Sequence, residues 1–295
     1  VMLVNDELRE ALKVLPFYDD SICKADKAVR LNKLSALYNI YIPSEMSVEI
    51  YSKFYLSVTR SLQKKYSADA LRQGYQNRGI IKNGLANGMN GESFTIIGDS
   101  GIGKSAAINR ASFLISNGGI IEIDNPYCKI IPVLSVQCPF DCSVKGLLLE
   151  ILRLIDNMIY SEYYQQAVKS KCTTDMLIGS VSQICMNHIG LLVIDEIQNI
   201  TVSKNGKLLI GALTQLINSS GISICMVGTP ECVPFFEQTS YLARRSTGLR
   251  YTNIRATSFF KDFCRIVFSY QYTLNKTSIN DILIDWFYEH SSGII

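Results

Sequence analysis

Gly98-Asp99-Ser100-Gly101-Ile102-Gly103-Lys104-Ser105 fits G-x-x-x-x-G-K-[ST] at every fixed position. The apolar run Phe94-Thr95-Ile96-Ile97 precedes it, and Ala106-Ala107-Ile108-Asn109-Arg110 follows with good helix formers. Strand, glycine loop and helix is the context the motif requires. The glycines let the backbone curl so that successive N–H groups point at phosphate oxygens, reinforced by the helix N-terminus. In such a loop Lys104 reaches the β- and γ-phosphates and the Ser105 hydroxyl ligates Mg²⁺. The residues that would cradle the phosphates are therefore Gly98, Asp99, Ser100, Gly101, Ile102, Gly103, Lys104 and Ser105.

The sequence around this loop has the rhythm of an α/β protein. Ile120–Ile123 and Ile130–Val136 read as strands, and Val144–Ile159 and Thr174–Asn187 as helices. Gly190–Ile194 is a buried strand ending in Asp195-Glu196. Leu208–Asn218 is a helix stopped near Gly221, Ile222–Val227 a further buried strand, and 250–256 a weaker one. The segment 279–290 is helical. Strands alternating with helices predict a parallel sheet covered on both faces. Residues 1–81 lack that rhythm and read as a mainly helical extension, with helices at 6–15, 26–38, after Pro43-Ser44, and at 62–73. The Gly/Asn-rich run 82–91 is a connector, and 92–295 is the nucleotide-binding domain.

Composition narrows the class. In 295 residues, 47% are hydrophobic and 19% charged, with a net charge of +3, as in ordinary globular domains. Residues 1–90 hold 13 basic against 9 acidic residues, an arm suited to a polyanion or to a solvated helical surface. No apolar run approaches the roughly 20 residues that span a bilayer, and Val1–Val4 before Asn5-Asp6-Glu7 is too short and too acidic for a signal peptide. The expectation is a cytoplasmic protein without a membrane partner. The nine cysteines are an odd, scattered set. Cys138 and Cys142 have no second Cys/His pair at zinc spacing, so reduced core thiols are expected.

Four apolar residues running into Asp195-Glu196 make a Walker B segment. Asp195 can hold Mg²⁺, and Glu196 can orient and deprotonate an attacking water. Thr229 closes the next strand, where it can touch the γ-phosphate or simply open a Thr-Pro turn. Arg244-Arg245 can stabilise charge on a transferring phosphoryl group from a neighbouring subunit, or can end a solvated surface helix.

Leu191-Leu192-Val193-Ile194-Asp195-Glu196-Ile197-Gln198-Asn199 resembles a segment of the TnsC and TniB transposition regulators, as do Val227-Gly228-Thr229-Pro230-Glu231 and Ala243-Arg244-Arg245. Leu15–Tyr18, Gly74–Arg78, Val136–Pro139 and Lys145-Gly146 are also similar. The resemblance implies a P-loop NTPase of the AAA+, ASCE type, binding ATP and Mg²⁺ and assembling as a ring or helical filament, hexamer or heptamer, on double-stranded DNA. Such assemblies link a target-selector protein to the transposase, and the implied activity is slow, interface-dependent ATP hydrolysis. On this resemblance Thr229 is sensor 1, Arg244 or Arg245 the trans finger, and Lys145, with Lys204 and Lys207, the contact to DNA phosphates. The family follows its sheet with a helical lid, and the sequence reaches only the start of one, so a missing or truncated lid is expected. Two rivals are a helicase loader of the DnaC or IstB kind and an ATP-switched scaffold with negligible turnover.

Overall fold

The computed structural model describes residues 1–65, 91–124, 127–238 and 248–294. They group into two compact units, one of residues 1–50, 99–111 and 252–295, the other of 51–98 and 112–251.

The larger unit is built on a six-stranded sheet. β1 (Ser93–Gly98), β3 (Tyr127–Gln137), β4 (Ile189–Asp195) and β5 (Ser223–Gly228) run parallel, as does the short β6 (Leu249–Tyr251) beside β1. β2 (Ile121–Asp124) pairs antiparallel with β3. The spatial order is β2-β3-β4-β5-β1-β6. The sheet is thus mixed where a parallel one was expected. Only residues 125–126 separate β2 from β3, far too few for the crossover a parallel pair needs. β6 is shorter than the 250–256 expected because it pairs only with Ile96, Ile97 and Gly98, and β1 ends there.

Every residue of β1 and β5 is buried, which is why these segments read as continuous apolar runs. On one face, Ile97, Ile224 and Met226 join a core with helices α5 (Val144–Ile159), α7 (Thr174–His188) and α9 (Gly206–Ser220). α4 (Lys104–Ser116) follows β1, and the short α6 (Tyr163–Lys169), α8 (Asn199–Val202) and α10 (Val233–Gln238) come after α5, β4 and β5. The alternate residues Phe94 and Ser223 face the other way, toward α3 (Glu45–Lys65). There Phe54 meets the Phe94 ring edge-on at 6.1 Å. Ser61 Oγ donates to Ser223 Oγ and accepts the Ser223 N–H, both at 3.1 Å. Lys53 and Arg60 both pair with Glu92. Helices therefore cover both faces of the sheet.

The smaller unit begins with α1 (Asn5–Leu12) and α2 (Lys27–Lys33), the latter continuing as a 3-10 turn over Leu34–Asn39. Arg110 caps α1 by donating to the Leu12 and Ala11 carbonyls at 2.7 and 3.0 Å, where a helix end leaves acceptors unsatisfied. α11 (Ser258–Ser269) and α12 (Asp281–Ser291) pack through Phe260, Cys264 and Ile284. Of the helix expected at 62–73, residues 62–65 belong to α3, and 66–73, like the connector at 82–90, lie outside the described residues. All nine cysteines are free, and seven of them are buried. No described helix is long and apolar enough to cross a membrane.

Candidate functional site

The parallel register brings four strand ends to one edge of the sheet. Ile97 stands opposite Gly228, Ile194 opposite Met226, and Gln137 opposite Asp195. β5 lies between β1 and β4, so the Asp195-Glu196 pair and the strand that leads into the glycine loop are separated by one strand.

The loop itself is held by its glycines and by one buried side chain. Gly101 and Gly103 have φ of +84° and +87°, in the left-handed region that side chains resist. Ile102 between them is buried and pins the turn. α4 starts at Lys104, and the Ala107 N–H already bonds the Gly103 carbonyl at 2.9 Å. Lys104 Nζ donates to the Asp99 carbonyl at 2.7 Å, which keeps the ammonium folded over the loop. Glycine-permitted curvature, a lysine and the Ser105 hydroxyl in the first helical turn suit a polyphosphate.

The acid pair is anchored on three sides. The Asp195 carbonyl accepts the Cys138 N–H at 2.8 Å, and the Ile197 N–H reaches the Val227 carbonyl at 2.9 Å. Asp195 Oδ1 accepts the Glu196 N–H at 2.8 Å. Between these ties Glu196 has φ +58°, an uncommon conformation for a residue with a Cβ, sustained here by the surrounding bonds. Its exposed carboxylate accepts from Gln198 Nε2, and Asn199 Nδ2 donates to the Cys138 carbonyl at 3.1 Å. A cavity of about 600 Å³ beside this turn is lined by Gln137, Cys138, Phe140, Glu150, Glu196 and Asn199 among others. Burial, with Cys142 alongside, pushes the Cys138 thiol up to about 12, so it is no nucleophile at neutral pH. Thr229 Oγ1 donates to Glu231 at 2.8 Å, as a turn-opening threonine does. Gln198 and Asn199 were quoted from the sequence only as part of a motif. Their roles appear only with the tertiary hydrogen bonds.

Two of the three lysines converge. Lys145, in the first turn of α5, and Lys207, in the first turn of α9, line one groove of about 570 Å³ with Ser143, Thr174, Asp175 and Asn205. The loops beneath are tied together at the Asp141 carbonyl, which accepts from Ser203 Oγ at 2.9 Å and Asn205 Nδ2 at 3.0 Å. Lys204 lies in the turn between those two donors and does not line the groove. Arg244 and Arg245 lie outside the described residues.

A family model described as bacterial TniB protein matches residues 85–253, more than half of the chain. A search of curated proteins found no match. Among solved structures, the Aeropyrum pernix ORC2 protein in its ADPNP–ADP complexes is 14% identical with a TM-score of 0.39, over 65% of this chain and 50% of that one. The ORC1 protein of the same organism, in complex with DNA, is 12% identical with a TM-score of 0.40, over 68% and 48%. The ADP form of ORC2 is 14% identical with a TM-score of 0.44, over 77% and 58%. The chain thus spans about half the length of these structures.

Proposed function

The chain belongs to the TniB family of transposition-associated AAA+ ATPases, and from that premise we propose an ATP-dependent regulator that assembles as a ring or filament on double-stranded DNA in the cytoplasm. It links a target-selector protein to the transposase. Lys104 and the N–H groups of the loop from Gly98 to Ser105 hold the phosphates. The Ser105 hydroxyl and Asp195 carboxylate are hard oxygen donors of the kind Mg²⁺ takes. When bound, ATP and Mg²⁺ supply a phosphoryl group activated toward water. The Glu196 carboxylate orients that water and takes its proton. Thr229 turns its hydroxyl from Glu231 toward the reacting end of the nucleotide. Arg244 or Arg245 reaches the site of the neighbouring protomer and steadies the developing charge. Lys145 and Lys207, with Lys204 beside them, neutralise DNA phosphates, which makes binding salt-sensitive and largely indifferent to sequence.

What supports this reading most is the acid pair at the carboxyl end of β4, one strand away from β1, the strand that leads into the glycine loop. The test is Glu196→Gln. ATP-dependent assembly on duplex DNA should persist in electron micrographs while phosphate release falls about 100-fold or more, the scale of a lost general base. Turnover at the wild-type rate would remove Glu196 from the role of base. Phosphate release measured with and without duplex DNA separates the regulator from a scaffold of negligible turnover.

A further inference from the structure

We propose that this chain binds a second copy of itself head to tail, with α2 of one protomer lying against the outer face of α12 of the next. The inference rests on the reading of the chain as a ring or filament former and names the surfaces that meet. Three observations carry it.

The first is the state of α12. Ile284, Phe287 and Tyr288 pack inward, which turns Ile282, Asp285, Trp286 and Glu289 to the other side of the helix. Ile282 is 80% exposed and Trp286 50%. They stand one helical turn apart on a single stripe, and Asp285 and Glu289 edge it. Neither of these carboxylates has an ion pair among the described residues, whereas Asp281 on the same helix is held by Lys261 and Arg265. The second is the state of α2. None of its residues is buried, and a helix this short is marginal in water by itself. Arg30 ties it down, donating to the Ala25 carbonyl at 3.1 Å and the Tyr272 carbonyl at 3.0 Å. Lys27, Leu31 and Leu34 recur along it at i, i+4 and i+7, and Leu31 is 57% exposed. Lys27 and Lys33 make no ion pair among the described residues.

The third is the match between the two faces. One is an apolar stripe with acidic edges, the other an apolar stripe with basic edges. Scattered apolar side chains on a surface are ordinary, but apolar patches rimmed by charge mark docking surfaces. Each stripe repeats about once per helical turn, roughly 5 Å, so the apolar side chains interlock while Lys27 and Lys33 meet Asp285 and Glu289. A foreign partner of either charge would satisfy one face and leave the other bare. A second copy of this chain satisfies both. Because the faces are unlike, each is engaged by a different neighbour, and the contacts close into a ring or continue as a filament according to the rotation at each step. A net charge of only +3 sets little overall repulsion against this local complementarity.

The experiment is sedimentation velocity of the full chain with a non-hydrolysable ATP analogue, Mg²⁺ and duplex DNA. It is read alongside emission from Trp286, the single tryptophan. The wild type should pass beyond a dimer, and its emission should move to shorter wavelength as the indole leaves water. Reversing both lysines of α2 (Lys27→Glu with Lys33→Glu) or both acids of α12 (Asp285→Lys with Glu289→Lys) should raise the concentration needed for assembly at least about ten-fold. The α12 reversal adds cations, so its loss of assembly does not come from weaker attraction to DNA. Mixed in equal amounts, the two variants should assemble again, because each then finds a complementary neighbour on both sides; misfolded protein would not be rescued. Ile282→Ala, at a side chain too exposed to support the fold, should weaken assembly and the emission shift together even where the reversals fold poorly. Variants that assemble like the wild type, a mixture no better than its parts, or assembly that stops at a dimer overturns the contact and leaves these faces to another partner or to none. A wild type that stays monomeric under these conditions fails the ring-or-filament reading itself.

Discussion

Lys65 shows how much a single side chain depends on what surrounds it. Its ammonium donates to the Cys185 carbonyl at 3.2 Å and to that of Met186, capping the last turn of α7, where carbonyls lack helical partners. Burial pushes it down to about 8 from its ordinary 10.5. The folded chain therefore holds this proton less tightly than the unfolded one, and stability rises with pH from 8 toward 10.5. Neighbouring groups bound the usable window. Burial lowers His188, whose contribution is complete above the ordinary 6.5. Burial also raises Cys128 and pushes Cys185 up to about 12, so stability falls once unfolded thiols ionise above 9. Between pH 8 and 9 the unfolding free energy of the wild type should rise by about 1 kcal/mol relative to that of Lys65→Met, the buried thiols acting on both alike. Nothing in Lys64-Lys65 reads differently from a solvated helix end. The carbonyls it caps come from a helix far along the chain, out of reach of any local pattern.

At the scale of elements, α3 is the clearest case of a helix read in part. Its apolar spacing after Pro43-Ser44 is legible, but a separate helix was expected from Leu62. The structure instead carries one helix through Glu45–Lys65, since Thr59-Arg60-Ser61 holds no glycine or proline to break it. Its sheet-facing side chains Phe54, Ser57 and Ser61 are all but fully buried. Phe54→Ala should therefore cost about 3–5 kcal/mol in chemical unfolding, the range for emptying a buried aromatic site. A loss under about 1 kcal/mol would mean that this packing contributes little. Strands β1, β4 and β5 were readable because central parallel strands are apolar on both faces. α11 was not read, although Phe260, Phe263, Cys264, Val267 and Phe268 recur at helical spacing. Aromatic and β-branched residues are weak helix formers, and their composition masks the period.

For the whole molecule the testable consequence is electrostatic. The net charge is only +3, so attraction to a polyanion has to come from local placement. If Lys145 and Lys207 each neutralise one DNA phosphate, replacing either with alanine should reduce the slope of log affinity against log salt by about 0.9. Equilibrium binding to duplex DNA at several salt concentrations measures it, and an unchanged slope for both variants would move the DNA elsewhere. The sequence by itself determined the glycine loop with Lys104 and Ser105, the acid pair ending an apolar strand, and the alternation of strands and helices. These are set by neighbours in the chain, through φ preferences, burial period and the chemistry of adjacent side chains. Only the tertiary structure decided that β5 lies between β1 and β4, that β2 folds back antiparallel, that Lys145 and Lys207 share a groove without Lys204, and how Gln198 is placed. Gln198 stands two residues from Glu196, yet its amide is turned by a carboxylate on one side and confined by Gly228 of another strand on the other. Such contacts come from chain segments that meet only when the sheet closes, and short-range pattern carries no record of them.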